Sequence, residues 1–128
     1  MTILENSHPL KELAQKALGI LKVSGTPEIF LVSSQEMRSL KRKYLGQDKD
    51  TNVLAFPYPK DFPQPQTEKQ LGEIYLSPSY IKRHKESIEF MLIHGLLHLL
   101  GFNHELKGDR IQMEKLEKEL VRELKINR

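Results

Sequence analysis

The sequence contains no cysteine, no tryptophan and no long uninterrupted hydrophobic run. Without cysteine, the 128-residue chain has no disulfides and no thiolate ligands, so a metal site must use histidine and carboxylate side chains. The longest apolar stretch, residues 90–102, contains two histidines and two glycines and is too short to span a bilayer. The N-terminal residues lack the basic opening and apolar run of a signal peptide. We therefore expect a cytoplasmic protein.

A strong excess of charge of one sign is also absent. The chain has 20 Lys+Arg against 17 Asp+Glu, which gives a formal net charge of +3. This small surplus is compatible with an anionic polymer as partner but does not require one. With 38% hydrophobic and 29% charged residues, the composition is that of a globular protein. We expect residues 1–128 to form one domain with its own core.

Hydrophobic periodicity predicts a mixture of helices and strands. Ser33 and Glu36 have the spacing of a capping box, and the segment 57–70 holds four of the seven prolines, which predicts an extended loop. The predicted helices and strands alternate in the first half of the chain, and helices dominate the second half. This order predicts an α/β or α+β fold, with a small mixed sheet packed against helices and a central, nearly all-apolar helix. The predicted helices span 8–21, 33–45, 87–100 and 109–125, with a short one opening at 77–78, and the predicted strands span 28–32, 51–58 and 73–76.

Three histidines in the stretch HGLLHLLGFNH have the spacing of metal ligands. His94 and His98 are four residues apart, so they share one face of the predicted central helix. Gly101 can adopt the backbone angles that end a helix and turn the chain, which would return His104 toward the other two. Three imidazoles suit zinc and leave a fourth position for water or substrate. The spacing therefore predicts a catalytic metal centre on this helix.

The alternative interpretation, in which each histidine is an ordinary core residue, is less favourable than metal binding. An unpaired polar group in the interior costs about 1–3 kcal/mol, and a shared metal satisfies two imidazoles together. The HxxxHxxGxxH spacing is also that of metzincin zinc proteases. Those proteases carry a glutamate general base directly after the first histidine, where this chain has Gly95. Peptide hydrolysis is therefore disfavoured, and Glu86, Glu89 and Glu105 are expected to lie at the surface or to support the ligands.

Beyond these spacings, the chain resembles a known family. HGLLHLLGFNH is similar to the HGxLHLxGYDH signature of the YbeY family, bacterial zinc-dependent endoribonucleases linked to ribosomal RNA maturation. Residues 40–59, LKRKYLGQDKDTNVLAFPYP, resemble the segment that leads into the family's TDVLSFP strand, and residues 71–77, LGEIYLS, resemble its LGDIxIS strand. The likeness covers roughly residues 35–106. It implies zinc bound by His94, His98 and His104, in an α/β fold with a cleft over the sheet.

The chain departs from the family pattern at two positions. Asn103 stands where the signature usually has aspartate before the last histidine. Leu45 stands where the family usually has an arginine expected to face the cleft, and leucine cannot grip a phosphate. Arg38 and Arg42, with Lys43 as a further candidate, lie on the same predicted helix and are the candidate phosphate contacts instead.

The resemblance implies an RNA substrate, a ribosomal RNA precursor, and ribosomal or ribosome-associated proteins as possible partners. We expect one Zn²⁺ per chain, although other divalent ions also accept imidazole. The nucleophile is predicted to be a metal-bound water, with attack by the RNA's own 2′-hydroxyl as the alternative. Basic clusters at 41–43 and 82–85 are candidate phosphate-binding surfaces, and Tyr58 and Phe62 are weaker candidates for base stacking. A binding module without turnover and a metallohydrolase of other substrates remain the competing hypotheses.

Overall fold

The computed structural model describes residues 7–59, 63, 69–102 and 107–128. Within these ranges the chain forms five helices and three strands, which confirms the predicted mixed α/β fold. The predicted bounds hold to within a few residues. The elements are α1 (His8–Leu21), β1 (Thr26–Leu31), α2 (Ser34–Leu45), β2 (Val53–Pro57), β3 (Gln70–Leu76), α3 (Pro78–Arg83), α4 (Ile88–Leu99) and α5 (Lys107–Leu124).

The three strands form one mixed sheet in the order β1-β3-β2. The central strand β3 runs parallel to β1 and antiparallel to β2, so that Ile74 pairs with Ile29 on one side and Ala55 on the other. β3 begins at Gln70, three residues earlier than predicted. Its early part includes Gly72, whose φ of 145° and close approach to the Phe56 carbonyl require glycine. A glycine inside a strand weakens the sequence signal for that strand.

Alternating side chains give the sheet two different faces. Helices α1 and α4 pack on one face, α5 packs on these two helices, and together they form the larger core with the sheet. On the other face, Met37 and Leu40 of α2 pack on an aromatic group that includes Tyr75 stacked on Phe30, with ring centroids 5.0 Å apart. The strand residues on the larger core are Ile29, Leu31, Val53, Ala55, Ile74 and Leu76.

Helix α4 lies at the centre of the molecule, as predicted. It contacts β2, β3, α1 and α5, and six of its residues are buried. Gly95 permits this close packing, because a Cβ there would lie 2.8 Å from Val53 Cγ2. In the described residues no helix is both long enough and apolar enough to cross a membrane.

Candidate metal centre and cleft

The imidazoles of His94 and His98 converge at the C-terminal half of α4. Their Nε2 atoms lie 3.2 Å apart, and their ring centroids are separated by 4.7 Å. Two nitrogens bound to one tetrahedral zinc at about 2.0–2.1 Å would be about 3.3–3.4 Å apart. Both histidines are partly exposed on a helix whose other residues are mostly buried. The pair therefore fits two ligands of a single divalent ion.

A buried carboxylate supports His94 from behind. Glu117 of α5 lies with Oε2 3.0 Å from His94 Nδ1, and its side chain is only 4% exposed. A carboxylate on the second nitrogen of a ligating histidine is a common feature of metal sites. The sequence analysis missed this residue, although a signal existed. Glu117 follows Met113 by four residues and precedes Leu120 by three, so its charge lies on the apolar stripe of α5.

Gly101 makes the turn that the sequence predicts at the end of α4. Its φ is 106°, and its N–H donates to the His98 carbonyl at 3.0 Å. The next residue, Phe102, donates its N–H to the Leu97 carbonyl at 3.1 Å. The third predicted ligand, His104, lies outside the described residues, as do Asn103 and Glu105. Within the described ranges alone, no group of three metal-ligating side chains is present, so the complete ligand set stays a prediction.

A cleft of about 530 Å³ opens over the histidine pair. Its walls are mainly apolar and come from the end of α2, from β2 and from α4 with its following turn. Leu45, which is 51% exposed, lines this cleft, as the resemblance implies for its position. The described lining residues are Leu45, Asn52, Val53, Leu54, Ala55, His94, Gly95, His98, Gly101 and Phe102.

Asn52 is the one polar side chain besides the two histidines among those lining residues. Its Nδ2 donates to the Glu86 carboxylate at 3.2 and 3.3 Å, and its Oδ1 accepts from Val53 N–H at 2.7 Å. These contacts fix the orientation of the amide. Glu86 is half-buried, and through this contact it supports a residue of the cleft. Neither contact follows from local sequence spacing, because Asn52 and Glu86 lie 34 residues apart.

The candidate phosphate contacts Arg38 and Arg42 both lie beside Asp48. Arg38 donates to both carboxylate oxygens, at 2.9 and 3.1 Å, and Arg42 lies 3.7 Å from the same residue. The Arg38 hydrogen bond holds the pKa of the Asp48 carboxyl below its ordinary value. Neither arginine belongs to the described residues that line the cleft. Their role as phosphate contacts stays a prediction.

Among the described residues, the other candidate RNA contacts are mostly exposed. Lys43 is placed over the Tyr44 ring, 5.2 Å from its centroid. In the cluster at 82–85, Arg83 donates to Asp50 at 3.0 Å, and His84 stacks on Tyr80 with ring centroids 3.9 Å apart. Tyr58 is partly buried, while Phe62 lies outside the described residues.

Comparison with known proteins identifies relatives along nearly the whole chain. The family model described as Endoribonuclease YbeY matches residues 3–125. Proteins named Endoribonuclease YbeY are similar to this chain in Wolbachia sp., with 39% identity over 77% of this chain, and in Chelativorans sp., with 33% identity over 77%. The protein of that name in Thermotoga maritima is 34% identical over 91% of this chain. The matches span 69%, 65% and 76% of those three relatives, respectively.

Proposed function

Because the chain belongs to the YbeY endoribonuclease family, we propose that it is a metal-dependent endoribonuclease that matures ribosomal RNA precursors. The observation that carries this proposal is the pair of Nε2 atoms 3.2 Å apart at the cleft. His94, His98 and His104 are the proposed ligands of one Zn²⁺. Imidazole donors without thiolates suit zinc, although nickel and other divalent ions are also compatible with them.

When bound, a divalent ion supplies charge stabilisation at a phosphoryl oxygen and activates water for attack. The chain's own residues prepare the site for this chemistry. His94 and His98 present their Nε2 atoms to one point, and Glu117 holds the His94 ring from its Nδ1 side. The apolar walls of the cleft lower the local dielectric, which strengthens electrostatic interactions with a bound phosphate.

The remaining cleft residues are proposed to orient the substrate. Asn52, fixed by Glu86, provides a rigid amide for hydrogen bonding to the RNA strand. Leu45 provides an apolar contact for a base or ribose at the cleft wall. The basic clusters at 41–43 and 82–85, together with Arg38 and Arg42, are proposed to hold phosphates outside the cleft through salt-dependent contacts.

The proposed substrate also indicates which proteins are candidate partners and where in the cell the protein acts. Ribosomal RNA precursors are bound by ribosomal and ribosome-associated proteins, which are therefore the candidate protein partners. In a bacterial cell this RNA is processed in the cytoplasm, so we propose that the protein acts there.

A substrate panel tests the proposed activity. We expect the zinc-loaded protein to cleave structured ribosomal RNA, and to leave casein and simple phosphoesters intact. Cleavage that disappears on chelation and returns with zinc would support the proposal. Hydrolysis of casein without cleavage of RNA would contradict it. Analysis of the RNA ends also identifies the nucleophile, since 2′,3′-cyclic phosphates would indicate attack by the 2′-hydroxyl rather than by water.

A second candidate function is a metal-stabilised RNA- or ribosome-binding module without turnover. The observation that favours it is Leu45, which places an apolar side chain at a cleft position where a phosphate-binding arginine is expected. Zinc-dependent binding of RNA without cleavage, measured in the same panel, would support this candidate over the enzyme.

Leu45→Arg is expected to strengthen RNA binding. A guanidinium at the cleft wall can contact a phosphate bidentately. We expect KM for RNA to fall about tenfold. The salt dependence of RNA binding should become steeper by the equivalent of one phosphate contact. Because Leu45 is 51% exposed, the change in the free energy of unfolding should stay within about 0.5 kcal/mol.

The matched control for this variant is Ile20→Arg, which adds the same charge to α1, away from the residues that line the cleft. Equal effects of the two arginines on KM and on the salt dependence would show that net charge, and not the position of residue 45, controls RNA binding.

A further inference from the structure

We infer that Glu117 is a positioning residue that selects the metal-binding tautomer of His94, an inference that rests on the proposed function. Glu117 lies on α5 between Met113 and Leu120, which are both fully buried. Its own exposure is 3%, and its Oε2 lies 3.0 Å from His94 Nδ1. A carboxylate thus occupies an apolar helix face and is aimed at the histidine ring.

The chemistry of this contact determines which nitrogen of His94 carries the proton. An ionised carboxylate can only accept hydrogen bonds, so Nδ1 is the N–H donor. The lone pair then belongs to Nε2, the atom that lies 3.2 Å from His98 Nε2. Glu117 thereby fixes the tautomer and the ring orientation that place the ligand atom toward the proposed metal.

Burial of Glu117 is difficult to explain by folding alone. A carboxylate removed from water is costly, and a buried polar pair often stabilises a fold less than apolar side chains of similar volume. Methionine would continue the stripe that Met113 and Leu120 begin. Glu117→Met removes this acceptor from His94 Nδ1 whatever role the carboxylate has, so metal-free stability does not separate a folding role from a positioning role. The two roles differ in zinc affinity and in the tautomer of His94, which only a positioning residue controls.

The test compares the whole wild-type chain with Glu117→Met, Glu117→Gln and Glu119→Gln. Zinc affinity is measured by competition with a chromogenic chelator, in the absence of RNA. We expect the Met variant to bind zinc about 10- to 100-fold more weakly than the wild type. The Gln variant should be intermediate, because a neutral amide is a weaker partner for Nδ1–H than a carboxylate. Glu119, which is exposed on the same helix, is the matched control and should leave zinc affinity unchanged.

Two measurements on the metal-free proteins complete the test. Thermal unfolding should show that each variant is folded at the temperature of the zinc titration. Nitrogen-15 chemical shifts of His94 should report a dominant Nδ1–H tautomer in the wild type and a mixture in the Met variant. Zinc affinity equal to wild type in both Glu117 variants, or an unchanged tautomer in Glu117→Met, would each overturn the inference. If the wild type itself binds no zinc, the proposed function fails, while the tautomer measurement still decides the role of Glu117.

Discussion

Replacement of His98 by alanine is expected to abolish both metal binding and RNA cleavage. The variant removes one of two Nε2 atoms that lie 3.2 Å apart. Loss of a group that only supports a ligand costs about 10- to 100-fold in metal affinity or activity, so loss of the ligand itself should exceed about 100-fold. Elemental analysis should show a fall from near one zinc per chain to almost none. RNA cleavage by the same sample should decrease in parallel.

The control for His98→Ala is His8→Ala on α1. His8 is exposed and lies 3.1 Å from Glu12, on a helix that does not contribute to the described lining of the cleft. Its replacement should leave the zinc content and the cleavage rate unchanged. A His98→Ala protein that keeps a full complement of zinc, or that cleaves RNA at the wild-type rate, would rule out the proposed metal centre.

Features of the fold that depend on residues close together in the sequence could be predicted from the sequence. Helix α1 has the predicted bounds, because its apolar residues recur at helical spacing and Pro9 opens its first turn. Ser33 caps α2 as predicted, since its hydroxyl accepts from Glu36 N–H at 3.1 Å. Gly101 turns the chain at the predicted position, because its φ of 106° favours glycine. In each case residues close together in the sequence determine the local backbone.

Features that depend on contacts between distant elements could not be predicted in the same way. The cleft joins the end of α2 to β2 and α4, so the location of Leu45 follows only from the packing of these elements, or from a family resemblance. Likewise, the contacts of Glu117 with His94 and of Glu86 with Asn52 join residues 23 and 34 positions apart. Helical periodicity identifies Glu117 as a charge on an apolar face, but it does not identify the residue that this charge contacts.

The interpretation of the histidine motif depends most on Gly95, where zinc proteases of the same spacing have a catalytic glutamate. The structure gives this glycine a packing role in addition to its place in the motif. It is buried where α4 contacts β2 and β3, and an ideal Cβ would lie 2.8 Å from Val53 Cγ2 and 3.2 Å from Ile74 Cγ2. Valine and isoleucine are stiff at χ1, so neither side chain can move aside easily. A side chain at this position, including the glutamate of the protease motif, would therefore require α4 or these two side chains to shift.

Gly95→Glu is accordingly expected to unfold the protein instead of creating a protease. The new side chain would overpack the interface between α4 and the sheet and bury a carboxylate there, and together these effects should lower the free energy of unfolding by more than about 3 kcal/mol. The comparison variant is Gly95→Ala. Its overpacking cost of about 1–3 kcal/mol is partly offset by about 1 kcal/mol of helix propensity, so it should stay folded and bind zinc. Thermal unfolding and a casein assay measure both outcomes. A Gly95→Glu protein that melts at the wild-type temperature and hydrolyses casein would show that the glycine is dispensable for packing, and that the chain is one substitution from a protease.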